Sequence, residues 1–189
     1  MKRSAGGPGA TRLAIVALIV AVPGASRAET PRLRPGAVEI GLAGSLVSTE
    51  GTTTASVALR GTRFARAGPG LAGIEAELGY LHLQALDMVE LEGGVSWQRA
   101  AGAGAAHPFA SVGGGLRQER LGSFRTARYP VGFALGARAL FGDRAGLRAE
   151  YRFRRVLNDP VADFNEHQAR LGISLMLNNG ARPDEASGH

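Results

Sequence analysis

The sequence contains no cysteine, and its only lysine is the second residue, so arginine supplies nearly all of the positive charge. Without cysteine, neither a disulfide framework nor a thiolate metal site can form. The histidines and acidic residues also lack the spacing of a metal-ligand cluster. We therefore expect no metal and no cofactor in this protein.

Long apolar runs are scarce as well, and none beyond the N-terminal region approaches the roughly 18 residues of a membrane-spanning helix. This absence excludes a helical membrane protein. The one clear run, Leu13–Val22, is too short to span a bilayer, follows basic residues and precedes the small-x-small pattern Ser26-Arg27-Ala28. We predict a signal peptide at 1–28 that is cleaved after Ala28; the alternative is an uncleaved membrane anchor.

The positive charge of the chain is largely a property of this leader. The formal net charge is +6, with 22 basic and 16 acidic residues. The leader carries four of the basic residues and no acid, so the mature chain has 18 arginines against 16 acids and a net charge of +2. We therefore expect no nucleic-acid partner.

Eight segments between Gly36 and Leu177 alternate apolar residues with polar or small ones, which is typical of β-strands. The last segment, Gln168–Leu177, shows the pattern most clearly. Each segment has about 9–11 residues, the length with which a tilted strand crosses the hydrocarbon of a bilayer. The second segment is the weakest, because its alternation fails near Arg63 and Phe64.

This repetition predicts a membrane barrel. In hydrocarbon every backbone amide must be hydrogen-bonded within the protein, so a sheet can cross only if it closes on itself. We predict an all-β fold, an eight-stranded antiparallel up-and-down transmembrane β-barrel over residues 36–177. Residues 29–35 would form an N-terminal lead-in and residues 178–189 a flexible C-terminal tail.

Short glycine-containing connections alternate with more polar ones along the chain. The first group comprises 68–70, 102–104 and 142–146, and the second comprises 48–53, 121–130 and 158–165. With both termini in the periplasm, the first group would lie on the periplasmic side, with His107 in one of its turns. The second group would form modest loops at the cell exterior.

Charged residues share one face of the predicted strands. A charged side chain facing lipid near the bilayer midplane costs about 2–4 kcal/mol, so this face should be enclosed. Buried charge is costly unless it is paired, and planar guanidinium groups bind two carboxylate oxygens at once. We predict a cross-lumen network of Glu–Arg pairs that fills the barrel; the alternative is a narrow gated ion path. The predicted lumen residues are Glu39, Arg60, Glu75, Glu77, Glu90, Glu92, Arg117, Glu119, Arg138, Arg148, Glu150, Arg152, Arg154 and Arg170.

Aromatic residues lie mostly toward the strand ends on the opposite, apolar face. Interfacial aromatic belts of membrane barrels occupy such positions. The residues concerned are Tyr80, Trp97, Phe133, Phe141 and Phe153.

The leader, the eight amphipathic strands and the charged face resemble the small eight-stranded outer-membrane β-barrel family, the OmpA/OmpX type. The most specific match is the last strand, where Arg170, Gly172 and Leu175 stand at positions of that family's assembly signal. Leu177 occupies the terminal position that is usually aromatic. The resemblance implies a bacterial outer-membrane location, surrounding outer-membrane lipids, insertion by the barrel-assembly machinery and a monomeric state.

Three hypotheses about function follow. The first is a non-enzymatic outer-membrane barrel that contributes to envelope structure or surface interactions. The second is a lipid-modifying barrel enzyme that uses His82, near Asp87, or His167, near Asp163 and Glu166; no serine is convincingly placed beside either histidine. The third inverts the two faces and gives a soluble lipocalin-like barrel with an apolar cavity for a lipid.

Overall fold

The computed structural model of the chain describes residues 33–49, 52–83, 86–99, 106–142, 144–159 and 162–179. The predicted signal peptide, the first part of the lead-in, the connection 102–104 and most of the predicted tail lie outside these residues. No helix in the described part of the chain is long and apolar enough to cross a membrane.

Eight antiparallel strands follow one another around a closed barrel, in the order in which they occur along the chain. This confirms the all-β, eight-stranded up-and-down barrel predicted from the alternation of residues. The strands are β1 (Val38–Thr49), β2 (Thr52–Ala67), β3 (Gly70–Leu83), β4 (Leu86–Arg99), β5 (Ala106–Leu121), β6 (Phe124–Phe141), β7 (Ala145–Leu157) and β8 (Phe164–Leu177). We call the end at which β1 begins and β8 finishes the terminal end, and the opposite end the distal end.

The register of the strands fixes the tilt and width of the barrel. A path of paired residues that leaves β1 at Val38 and passes through all eight strands returns to β1 at Ser48, ten residues further on. For eight strands, such a stagger corresponds to a strand tilt of roughly 35–45°. A barrel of this size is just wide enough for its interior to be filled by side chains.

The alternation along each strand separates an apolar outer face from a charged inner one. Outward aliphatic side chains such as Ile74 and Ile173 are 72% and 67% exposed, whereas inward charged side chains such as Arg138 and Glu39 are 0% and 2% exposed. Large apolar surfaces of this kind are rare on soluble monomers. The interior is charged, so the inverted arrangement with an apolar cavity is not the one observed.

The strands are longer than the 9–11 residues predicted, from 12 in β1 to 18 in β6. Two predicted loops are correspondingly wrong: 48–53 is mostly strand, and only Gly122 and Ser123 separate β5 from β6 across 121–130. The apolar alternation marks only the middle of each strand, because the backbone ladder continues into polar segments that carry no hydrophobic signal.

β2 also continues through the place where its alternation was predicted to fail. Arg63 points outward and Phe64 inward, so residues of β2 still alternate between the two faces. At this point the charged residue is on the outer face and the apolar residue is on the inner face. Phe64 belongs to an apolar floor that closes the terminal end of the barrel. The floor consists of Leu33, Ala37, Phe64, Leu71, Leu140 and Met176.

Residues just before β1 and just after β8 contribute to the terminal end. The backbone N–H of Phe64 donates a hydrogen bond to the carbonyl oxygen of Ala37, and the carbonyl oxygen of Phe64 accepts one from the N–H of Gly36. Gly36 has a φ of +88°. The backbone N–H of Arg34 donates to Oδ1 of Asn179 at 2.9 Å, and Asn179 is buried. Asn179, assigned from the sequence to a flexible tail, is therefore part of the folded terminal end.

Candidate functional site: the charged interior and the outward histidines

The predicted lumen residues all point into the barrel. Most of them are buried, and Glu92 and Glu119 are partly buried. They form ion pairs that cross the interior from wall to wall, arranged from the terminal end to the distal end.

Arg138 lies in the lowest layer, directly above the apolar floor. Its guanidinium group is 2.8 Å from the carboxylate of Glu39 and also donates to Oε1 of Gln98. The same group lies over the rings of Phe64 and Phe109, with its central carbon 4.9 Å and 5.2 Å from the ring centroids. A fully enclosed arginine is thus compensated by one carboxylate, one amide and two aromatic faces.

Glu150 is the hub of the middle layer. Four guanidinium groups converge on its carboxylate, those of Arg60 and Arg148 at 2.8 Å, Arg152 at 3.1 Å and Arg170 at 3.4 Å. The side chain of Glu150 is only 1% exposed. Because the four arginines come from three strands, one carboxylate ties together a large part of the barrel wall.

Carboxylates on β3 complete this layer from the opposite wall. Glu77 lies 2.7 Å from both Arg60 and Arg170, and Glu75 lies 2.8 Å from Arg148. Each of these arginines therefore bridges Glu150 on β7 and a glutamate on β3. Arg148 on β7 and Arg170 on β8 reach across the lumen to acids on β3, whereas Arg60 on β2 reaches across it to Glu150.

Arg154 and Arg117 share carboxylates in the next layer toward the distal end. Arg154 pairs with Glu90, Glu92 and Glu166, and Arg117 lies 2.5 Å from Glu90 and 2.6 Å from Glu166. Glu166 is absent from the predicted lumen set. Its even number places it on the same side of β8 as Arg170, so the alternation of that strand was the signal that could have identified it.

A last layer at the distal rim centres on Arg128, which was also absent from the predicted set. Its guanidinium group is 2.6 Å from Glu119 and 2.7 Å from Asp159, and it lies over the ring of Phe164. Arg128 falls in the stretch predicted to be a loop, so no strand face was assigned to it. With this layer, a chain of ion pairs runs from the floor to the rim.

Glycines make room for these long side chains on one side of the wall. Gly94, Gly113 and Gly132 are paired across β4, β5 and β6 and all point inward. A Cβ atom at Gly132 would lie 2.1 Å from the carbonyl oxygen of Phe153 and 3.0 Å from Cγ of Arg154. The arginine stem therefore lies in space that a side chain on β6 would occupy.

The cavity next to these glycines is small. Its volume is about 40 Å³, and the ion-paired Arg152 and Glu92 line it together with Gly113 and Gly132. A single water needs roughly 10–15 Å³ measured in this way, so the cavity accommodates only a few waters.

His82 lies outside the barrel, at the distal end. Its Nδ1 is 2.6 Å from the carboxylate of Asp87, which also accepts a 3.5 Å hydrogen bond from Tyr80. The His82 side chain is 60% exposed. The sequence placed His82 close to Asp87, and the structure brings the two into contact.

His167 is also on the outer face, and it is separated from the acids beside it in the sequence. Its Nδ1 is 2.5 Å from the hydroxyl of Tyr151, and its ring packs edge-on against Phe153. Glu166 points to the opposite side of β8, into the lumen. Within the described residues, no serine or threonine hydroxyl is hydrogen-bonded to His82 or His167.

The predicted position of His107 is wrong. It lies within β5, points inward and is 2% exposed, whereas a periplasmic turn was expected. In the register it is opposite Arg138 on β6. β5 begins at Ala106, before the apolar alternation that marked the strand in the sequence.

The residues of the predicted assembly signal divide between the two faces of β8. Arg170 belongs to the ionic network, and a Cβ atom at Gly172 would meet the carbonyl oxygen of Leu42 on β1 at 3.0 Å. Leu175 and Leu177 are exposed on the outer face. Within the described residues, no group of histidines and carboxylates is arranged to hold a metal ion.

Comparison with known proteins supports the fold. No protein-family model and no curated protein matches the chain. Several solved structures resemble it, among them three small barrels. The N-terminal β-barrel domain of Pseudomonas aeruginosa OprF has a TM-score of 0.59 and 14% identity, over 76% of this chain and 98% of that one. The attachment invasion locus protein Ail of Yersinia pestis has a TM-score of 0.55 and 11% identity, over 76% and 100%.

The third structure, Neisserial surface protein A, has a TM-score of 0.53 and 13% identity, over 74% of this chain and 95% of that one. These structures are small eight-stranded outer-membrane barrels. The resemblance to this class that the sequence indicated is thus confirmed as a resemblance of fold.

Proposed function

We propose that the chain is an integral β-barrel protein of the bacterial outer membrane, non-enzymatic, that contributes to envelope structure or surface interactions. It reaches this location by export, with cleavage of the signal peptide after Ala28 and insertion by the barrel-assembly machinery. Its immediate partners are the lipids around it, and it acts as a monomer.

The observation that carries this proposal is the distribution of side chains across the barrel wall. The outer face carries an apolar belt, with Tyr80, Trp97 and Phe133 exposed on it, and the Glu–Arg network is enclosed inside. A hydrocarbon environment favours this distribution, and water does not. Closure of β1 onto β8 leaves no unpaired strand edge, as a membrane requires.

Fractionation of envelopes and heat-dependent gel mobility test the membrane assignment. We expect the protein in the outer-membrane fraction, extracted only by detergent, with a faster-migrating folded form before heating. Purified protein that stays folded and dissolved in buffer without detergent contradicts the proposal.

The ionic network bears on the alternative of a gated ion path. Arg154 and Arg117, with the glutamates they share, occupy the interior over its distal half. We therefore expect no discrete conductance steps when the protein is inserted into planar lipid bilayers. Reproducible single-channel steps that disappear with heat-denatured protein would contradict a closed interior and support a gated ion path.

A lipid-modifying activity is the second candidate, because His82 and Asp87 form an outward imidazole–carboxylate pair at 2.6 Å. A carboxylate that orients an imidazole is one component of a general base, but the pair lacks a hydroxyl partner among the described residues. Lipid A from cells with and without the protein, and with His82→Ala or His167→Ala, separates the two candidates. A lipid change that requires either histidine would establish an enzyme.

A further inference from the structure

Two arginines stand directly opposite each other on the outer face of the β5–β6 hairpin. Arg120 on β5 is paired in register with Arg125 on β6, and both are exposed. Like charges placed directly across a sheet destabilise it. An anion between the two guanidinium groups would relieve this repulsion.

Inside the barrel, opposed arginines always have such compensation. Arg117 is opposite Arg128, and the two lie 2.6 Å from Glu166 and Glu119, respectively. Similarly, Arg138 is opposite Arg148, and they lie 2.8 Å from Glu39 and Glu75. The sheet thus tolerates opposed arginines where carboxylates of the chain neutralise them.

The outer pair lacks the close carboxylate partners of the inner pairs. Among the described residues, none forms a salt bridge with Arg120 or Arg125, and Arg120 donates only to the carbonyl oxygen of Gly122 at 3.2 Å. Asp87 is directly opposite Arg120 in the register, and its charge offsets part of that of Arg120. Its carboxylate is hydrogen-bonded to His82 and forms no salt bridge with either arginine. The two guanidinium groups are therefore available to an external anion.

The position of the pair favours an anion of the lipid headgroup region. On the same two strands, the outward residues four positions closer to the middle of the barrel are Leu116 and Tyr129, which are exposed parts of the apolar belt. Arg120 and Arg125 lie beyond this belt toward the distal end, on the side where a membrane around the belt would have its headgroups. A pair of guanidinium groups binds phosphate oxygens through several charge-assisted hydrogen bonds.

We propose that Arg120 and Arg125 form a binding site for the phosphate group of a phosphorylated glycolipid in the outer leaflet. The inference rests on the proposed outer-membrane location, which places the distal end at the cell exterior. In the outer leaflet of such a membrane, the anionic headgroups belong to glycolipids of this class. The site would fix one lipid against the β5–β6 hairpin.

The test uses the full mature chain in nonionic maltoside micelles, with the temperature of conversion from folded to unfolded gel mobility as the readout. Three lipids are added in turn: phosphorylated lipid A, the same lipid A with its phosphates removed, and phosphatidylglycerol. We expect phosphorylated lipid A alone to raise the conversion temperature. Arg120→Gln/Arg125→Gln should weaken the apparent affinity about tenfold or more, because charge-assisted hydrogen bonds are lost.

Two variants provide controls. Arg155→Gln removes another outward arginine near the distal end, but one that already has Asp163 at 3.8 Å and Asn165 at 3.4 Å, so the lipid response should be kept. Arg120→Lys/Arg125→Lys keeps both charges and should retain part of the response.

Several outcomes overturn the proposal. An equal response to phosphatidylglycerol would indicate a general anionic surface, and an unchanged response in the Gln/Gln variant would exclude the two arginines. If the wild-type chain forms no heat-modifiable barrel in micelles, the proposed function itself fails. A folded wild type without a phosphate-dependent response overturns only the lipid site.

Discussion

At the scale of single residues, the interior depends on carboxylates that each serve several arginines. Glu150 contacts four guanidinium groups while almost completely enclosed. Removal of one member of a buried ion pair costs more than the pair contributes, because the remaining charge is left without compensation. The hub is therefore the most sensitive point of the network.

We predict that Glu150→Gln lowers the free energy of unfolding by about 3–5 kcal/mol, since it leaves an excess of buried positive charge. Urea unfolding in detergent micelles measures the loss. Asp163→Asn is the matched control, because it neutralises an acid whose ion pair with Arg155 is largely exposed. Exposed pairs contribute less than about 1 kcal/mol, and equal losses in the two variants would contradict the prediction.

The sequence identified most of the interior residues but not their pairing. Alternation assigns a residue to one side of a strand, and this was enough for Arg60 or Glu77. It says nothing about height within the barrel, which depends on the stagger between strands. Glu166 was grouped with His167 because the two are adjacent in the chain, although neighbouring residues on a strand point to opposite sides.

At the scale of strands, the order and sidedness of the elements followed from the pattern, whereas their ends did not. The regular alternation of β6 starts at Val131 in the sequence, yet the strand itself starts seven residues earlier, at Phe124. Backbone hydrogen bonds between β5 and β6 continue beyond the alternating segment, because they do not require a hydrophobic side chain at every second position. The apolar floor at Phe64 was missed for the related reason that one inward position carries an apolar residue where charge was expected.

We predict that Gly132→Ala destabilises the barrel by roughly 1–3 kcal/mol, because the added methyl group meets the backbone of β7 and the stem of Arg154. Gly44→Ala on β1 is the matched control. No atom lies within 4 Å of the Cβ position at Gly44, so this change should be neutral or slightly stabilising. Thermal conversion on gels compares the two, and a larger loss at Gly44 would refute the role assigned to the glycine row.

At the scale of the whole molecule, the two faces of the wall have exchanged the roles that they have in water-soluble barrels. Leu42 and Leu59, which are paired between β1 and β2, are both more than half exposed. Such side chains stabilise the protein only when something apolar surrounds the barrel. The environment is therefore part of the stability of the fold.

We predict that Leu59→Arg impairs insertion into lipid vesicles, with a cost of about 2–4 kcal/mol near the bilayer midplane. Thr53→Arg places the same charge on the same face of β2, but beyond the apolar belt, and should cost about 0–1 kcal/mol. The folded fraction after dilution from urea into vesicles measures both. Similar yields for the two variants would indicate that the belt does not face hydrocarbon.

The hydrogen bond from Arg34 to Asn179 brings the two ends of the described chain together beside the β1–β8 seam. Since β1 and β8 are already neighbours, a short peptide could link residues 33 and 179, and the chain could instead be opened at Gly122–Ser123 without loss of any strand pairing. A circular permutant of this kind should reach the same barrel. Its seam would then lie between β5 and β6, so the point at which the cylinder closes is set by where the chain is cut and not by the architecture.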